Sequence, residues 1–192
     1  MADGDESTGS LVDSTPPAAP PAGLRRSRLV LLGVAAAAVY AIDLTTKVIA
    51  VHHLAHRTRP VTIVHSAFDL ELVRNPGAAF GLGVGMTIVF SAVSIAVIAA
   101  ILRYASRLGS AWWALVFGLV LGGALGNLTD RIFRDPGFGR GHVVDFLHIH
   151  HWPVFNVADS AFTVAGAIVV LLAINNVPLE GRAQRGAGTT EA

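Results

Sequence analysis

The chain has 192 residues, 53% of them hydrophobic, only 14% charged and none of them cysteine. That length and mean hydropathy of +0.58 favour one compact membrane domain over a soluble one. A formal net charge of +1 excludes an extended nucleic-acid surface, and the absence of cysteine excludes disulfides, thiolate catalysis and cysteine metal sites.

Residues 1–24 begin acidic and become rich in Pro and Ala. They lack the apolar content for a core and read as a disordered cytoplasmic tail. Arg25, Arg26 and Arg28 follow that tail instead of leading it, so a cleavable signal peptide is not expected. Four apolar stretches come next, at about 29–50, 83–102, 111–128 and 157–177. Each is close to the roughly 20 residues that a helix needs to cross hydrocarbon, where the backbone must satisfy its own hydrogen bonds. A four-span domain over 25–177 is therefore predicted, with 178–192 as a polar cytoplasmic tail.

Between the first two spans, Val61-Thr62-Ile63-Val64 and Phe68-Asp69-Leu70-Glu71-Leu72 partly alternate and are rich in strand formers. A small β-sheet outside the membrane is expected within about 54–75. Arg134-Asp135-Pro136-Gly137 reads as a turn, and 139–153 as an ordered loop or short strand. The short loop from Arg103 to Arg107 gives the clearest positive-inside signal and places both termini in the cytoplasm. Trp112 and Trp113 then mark the inner interface and Trp152 the outer one.

The unusual polar residues fall at the span ends that parity puts on a single side. They are Asp43 and Lys47, Asn75, Asn127 with Asp130 and Arg131, then Asp145, Asn156 and Asp159. Asp43 and Lys47 are four apart, the spacing of a helical ion pair, and Lys47 also has the reach to snorkel towards headgroups. Asn127/Asp130 and Asn156/Asp159 are three apart, and each pair shares a helix face. Gly122-Gly123-Ala124-Leu125-Gly126 permits close helix approach. Ionisable groups near hydrocarbon are costly and usually functional. Two carboxyls in a poorly hydrated place cannot both ionise easily, and a pair sharing one proton suits hydrolysis of a peptide bond.

In order along the chain stand Asp43-Leu44-Thr45-Thr46-Lys47, Asn75-Pro76-Gly77-Ala78-Ala79-Phe80-Gly81, Gly122 to Arg131, Val143-Val144-Asp145-Phe146 and Phe155-Asn156-Val157-Ala158-Asp159. Together these five motifs resemble the bacterial lipoprotein signal peptidases, or signal peptidase II, over roughly Leu29 to Ile174. The resemblance implies a monomeric, cofactor-free aspartic endopeptidase of the plasma membrane, with its site at the outer surface. It implies diacylated prolipoprotein substrates, cleavage on the amino side of the lipidated cysteine, contact with membrane lipids and inhibition by globomycin. By motif, Asp145 and Asp159 match the catalytic dyad. Asp130 and Arg131 match a pair that shapes the site, Asn75, Asn127, Arg131 and Asn156 match residues lining the substrate path, and Asp43 and Lys47 match the polar positions of the first span. The N-terminal extension and the short, histidine-rich loop from Phe146 to Phe155 depart from the pattern.

Three rival readings make different demands. A small transporter or proton carrier needs polar groups through the membrane depth, and here they gather at one side. A metal-dependent protease would use His52, His53 and His56 or His148, His150 and His151, yet no HExxH motif is present and no metal is expected. A non-catalytic scaffold leaves the five ordered motifs without a reason.

Overall fold

The computed structural model describes residues 22–65, 67–77 and 86–181. The N-terminal extension up to residue 21, Ala78-Ala79-Phe80-Gly81 of the second motif, the expected start of the second span at Gly83 and residues 182–192 lie outside that set.

Four helices carry the domain: α1 (Ala22–Leu54), α2 (Thr87–Tyr104), α3 (Ala111–Phe133) and α4 (Val157–Ile174). By length and composition all four are apolar enough to cross a membrane. Their outward surfaces remain hydrocarbon-like, with Val34, Val48, Val93, Leu102 and Val170 more than half exposed. In water that surface would be a liability; in lipid it costs nothing.

α3 is the central helix. It lies against α1, α2 and α4, and half of its most apolar window is buried. Glycines make its contact with α1. A Cβ at Gly118 would stand 2.6 Å from the Ala35 Cβ, and one at Gly122 would stand 2.6 Å from the Ala36 carbonyl oxygen. A Cβ at Gly126 would run into the Asp43 carboxylate. The glycines recur every four residues on one face, so the two backbones approach closely along their whole overlap. The rising order of partners, from Leu32 to Asp43 against Gly118 to Gly126, shows that α1 and α3 run parallel.

Three strands form one antiparallel sheet in the order β1 (Val61–Val64), β2 (Phe68–Asn75) and β3 (Val143–Ile149). The hairpin β1–β2 is the expected one. The third strand comes from the segment that had been read as an ordered loop or short strand, about 70 residues further along the chain. Val73 faces Asp145, Arg74 faces Val144 and Asn75 faces Val143 in the register. The sheet sits on the last turns of α1, where Ala50, Leu54, Val144 and Phe146 form a shared core.

The observed ends depart from hydropathy for local reasons. α3 continues five residues past the expected Leu128, because Asp130 is held by buried ionic partners. The segment 178–181, expected within a polar tail, returns to the bundle. There the Leu179 carbonyl accepts N–H bonds from Gly109 (3.1 Å) and Ser110 (3.2 Å), and Leu179 packs on the core of α1, α2 and α3. Trp113, expected only as an interface anchor, packs inside and donates its indole N–H to the Val177 carbonyl at 2.9 Å, whereas Trp112 is exposed.

Gly122→Ala places a methyl group against the α1 backbone. A loss of about 1–3 kcal/mol of stability is expected from overpacking, seen as a lower midpoint of thermal unfolding in detergent. Gly166→Ala, with open space around it, does not lower that midpoint.

Candidate active site

Lys47 occupies the centre of the polar end of the bundle. It and Asp43 are fully buried, and the ammonium lies 2.7 Å from Asp43 Oδ2 and 3.0 Å from Asp130 Oδ2. It also donates a 2.8 Å hydrogen bond to Asn127 Oδ1. All three N–H donors of an ammonium are therefore directed at partners. Burial answers the two readings of Lys47: it pairs with Asp43 at the helical spacing and does not snorkel to the surface.

The two buried carboxylates also join elements. Asp43 Oδ1 accepts the Ala158 N–H at 2.9 Å, which ties α1 to the first turn of α4. Asp130 Oδ2 accepts the Val144 N–H at 3.1 Å, which ties α3 to β3 beside Asp145. Asp130 Oδ1 pairs with Arg134. Arg131 turns elsewhere: its Nη1 donates to the Asn127 carbonyl at 3.2 Å, and its guanidinium stands over the Phe90 ring. Asp130 and Arg131, adjacent in sequence, thus serve opposite sides of α3. Arg134 was missed by sequence reading, although its i,i+4 spacing from Asp130 is a usable signal.

Asn127 and Asn156 connect this ionic cluster to the two aspartates of the last motifs. Asn156 Nδ2 donates to Asp145 Oδ1 at 2.6 Å and approaches Asn127 Oδ1 at 3.3 Å. Asn127 Nδ2 reaches Asp159 Oδ1 at 3.4 Å. Asn75 Nδ2 donates to Asp145 Oδ2 at 2.8 Å, so both Asp145 oxygens accept an amide N–H. Asn156 is the N-cap of α4 and forms a capping box with Asp159: its Oδ1 accepts the Asp159 N–H, and Asp159 Oδ2 accepts the Asn156 N–H. The three-residue spacing of this pair therefore marks a helix start and not a shared helix face. Asn156 has no exposed surface, so it braces the pair and does not line a path.

A cavity of about 420 Å³ opens beside these groups, and Asn75, Asp145 and Asp159 all line it. Arg74, Trp152 and Phe155 line it too; the sequence marked Trp152 only as an interface anchor and Phe155 only as part of a motif, and neither they nor Arg74 as site residues. Phe155 is placed by a return of the chain after β3, where its N–H and carbonyl pair with Leu147. Asn127 and Arg131 line a separate cavity of about 300 Å³ on the α2 side, next to Phe90 and Phe162.

Asp145 lies on β3, outside the spans, and is 2% exposed. Burial pushes its carboxyl up to about 6; the amide bonds from Asn75 and Asn156 oppose that rise, and the charge of Asp159 adds to it. Asp159 is half-buried, accepts two N–H bonds and stands in the first turn of α4, at the positive end of the helix dipole. The two carboxyls therefore occupy unlike settings in one cavity. In the whole network four carboxylates, Asp43, Asp130, Asp145 and Asp159, stand with three cations, Lys47, Arg131 and Arg134.

Among the described residues, no group of three or more His, Asp or Glu side chains is placed to hold a metal ion. His52 and His53 meet edge to face, His148 lies 3.6 Å from Glu71 and His150 lies 3.7 Å from Asp69.

The family profile of signal peptidase (SPase) II matches residues 35–175, which hold every element of this site. The chain belongs to the signal peptidase II family. A lipoprotein signal peptidase of Rhodococcus jostii is 47% identical over 85% of this chain and 82% of its own length. One from Mycobacterium avium is also 47% identical, over 88% of each chain. The fold is shared with a solved bacterial membrane enzyme at a TM-score of 0.66 and 21% identity, covering 86% of this chain and 95% of the other. As a signal peptidase II, this chain is a multi-pass membrane hydrolase, and the expectations of family and of four spans with a small sheet hold.

Two measurements check the electrostatics. Lys47→Met leaves Asp43 and Asp130 without their shared cation, and a loss of about 3–5 kcal/mol is expected in thermal unfolding; adding Asp43→Asn recovers part of it. Asp145 has a folded pKa above its unfolded one, so its contribution is full below about 4 and is lost as pH rises through about 6. The stability of wild type relative to Asp145→Asn therefore grows as pH falls from 7 to 4 and then levels off.

Proposed function

We propose that this signal peptidase II removes the signal peptide from diacylglyceryl-modified prolipoproteins as an aspartic endopeptidase, with Asp145 and Asp159 as its catalytic pair. The observation that carries the reading is the unlike pair of carboxyls on one cavity, one buried and pushed up to about 6, the other set at a helix N-terminus. General acid–base catalysis needs one protonated and one charged group, and environments that push two carboxyls apart supply them. Because the pair is coupled, the single proton belongs to both and is weighted towards Asp145.

In this mechanism Asp159 takes a proton from a water, and the resulting nucleophile attacks the scissile carbonyl carbon. Asp145 donates its proton to the carbonyl oxygen. The tetrahedral intermediate collapses when the C–N bond breaks: the leaving amine takes the proton held by Asp159, and Asp145 recovers a proton from a hydroxyl of the intermediate as the new carboxyl forms. Asn75 and Asn156 hold the Asp145 carboxyl in place, and Asn127 orients Asp159. Cleavage falls on the amino side of the lipidated cysteine, the site faces the outer membrane surface, and both termini are cytoplasmic.

The test incubates purified protein with a diacylated prolipoprotein, with and without globomycin or a chelator. Cleavage that globomycin stops and the chelator leaves untouched is expected. Asp145→Asn and Asp159→Asn should each lower the rate by about 10²-fold or more while the protein still extracts from membranes as folded material. Wild-type turnover by either variant refutes its assignment.

A further inference from the structure

Two cavities meet at Asp159. The one described above runs along the sheet edge past Arg74, Asn75 and Pro76. The other, of about 510 Å³, runs from His151 past Ser160 and Thr163 to Val164. Trp152 and Phe155, with Asp159, line both, so these two rings stand where the volumes adjoin.

The walls differ in chemistry. Along the sheet edge stand a guanidinium and a carboxamide, suited to the amides of a polypeptide. Along α4 the hydroxyls are already spent: Ser160 donates to the Asn156 carbonyl at 3.1 Å and Thr163 to the Asp159 carbonyl at 3.0 Å. With those protons committed, Trp152, Phe155 and Val164 make the lining mostly carbon, although His150 and His151 belong to it as well. It also continues into the outward face of α4, where Val164, Val170, Leu171 and Ile174 are 52–70% exposed. The α4 cavity thus joins the reacting carboxylate directly to the lipid-facing surface of a membrane span.

We propose that the cavity along α4 binds a fatty acyl chain carried by the substrate, and that Trp152 is the specificity-determining residue that parts this chain from the peptide at Asp159. The inference rests on the peptidase reading and adds to it a place for the lipid. Burying hydrocarbon against Trp152, Phe155 and Val164 gives binding that grows with each methylene. A bilayer phospholipid could supply the same chemistry, and the length of the substrate's own chains separates the two sources.

The experiment compares dipalmitoyl and dibutyryl forms of one prolipoprotein in detergent micelles. Val164→Trp fills the α4 cavity from the lipid side. A fall of about tenfold or more in kcat/KM is expected for the dipalmitoyl form, carried by KM, with less than about twofold for the dibutyryl form. Val170→Trp, on the lipid face outside the cavity, should change neither. Independently, an uncleaved substrate analogue with brominated acyl chains should quench tryptophan emission in wild type, and Trp152→Phe should remove most of that quenching. Equal losses on both chain lengths, no loss on the long one, or quenching that survives Trp152→Phe overturns the proposal; an occupying bilayer lipid gives the first of these. Wild-type protein that cleaves neither form fells the peptidase reading and this inference with it.

Discussion

A fully buried ammonium between two carboxylates holds this structure together. Lys47, Asp43 and Asp130 come from two different helices, and the carboxylates also reach a third helix and a strand through the Ala158 and Val144 N–H groups. Such a cluster is not a cheap source of stability, because taking three charges out of water costs more than most contacts return. Its value is geometric. In a low-dielectric setting a charge without its partner is so unfavourable that only one arrangement of α1, α3, β3 and α4 is tolerated. Glycines at 118, 122 and 126 make the arrangement possible by letting α3 approach the α1 backbone, and Gly126 in particular leaves room for the Asp43 carboxylate.

The cluster in turn positions the proposed catalytic pair. Asn127 accepts from Lys47 with its oxygen and donates to Asp159 with its nitrogen, so the position of the ammonium is passed to the carboxylate through one amide. Asn156 donates from its nitrogen to Asp145 and to Asn127, while its oxygen caps α4. The amides are suited to this work because each has an acceptor and donors on a rigid plane and carries no charge of its own. The result is a separation of labour between layers. Charges that never meet the cavity fix the frame, neutral amides transmit it, and the two carboxyls face the open volume, Asp145 from a buried strand and Asp159 from a helix terminus.

The third strand explains why a small sheet accompanies a membrane bundle. β3 carries Asp145 and is buried at Val143, Val144 and Phe146, which a lone loop could not be without orphaning its backbone groups. Pairing with β2 satisfies that backbone and brings Asn75 opposite Val143, within reach of Asp145. The sheet is thus the support of one catalytic candidate as well as a wall of the cavity.

Span number and the one-sided gathering of polar residues were determined by the sequence alone, because hydrocarbon imposes a cost that hydropathy records residue by residue. The Asp43–Lys47 pair was legible for a similar reason, since i,i+4 neighbours meet on any helix. What only the tertiary structure decided were the relations between elements: that Asp130 faces Lys47 while Arg131 turns to Phe90, that Asn156 is a buried cap, and that β3 completes the hairpin's sheet. The cavity walls at Arg74, Trp152 and Phe155 belong with these, as does the burial that lifts Asp145. None of them is a property of spacing. Each depends on which helix face meets which neighbour, and packing at glycine contacts and pairing of buried charges settle that only when the whole chain is in place.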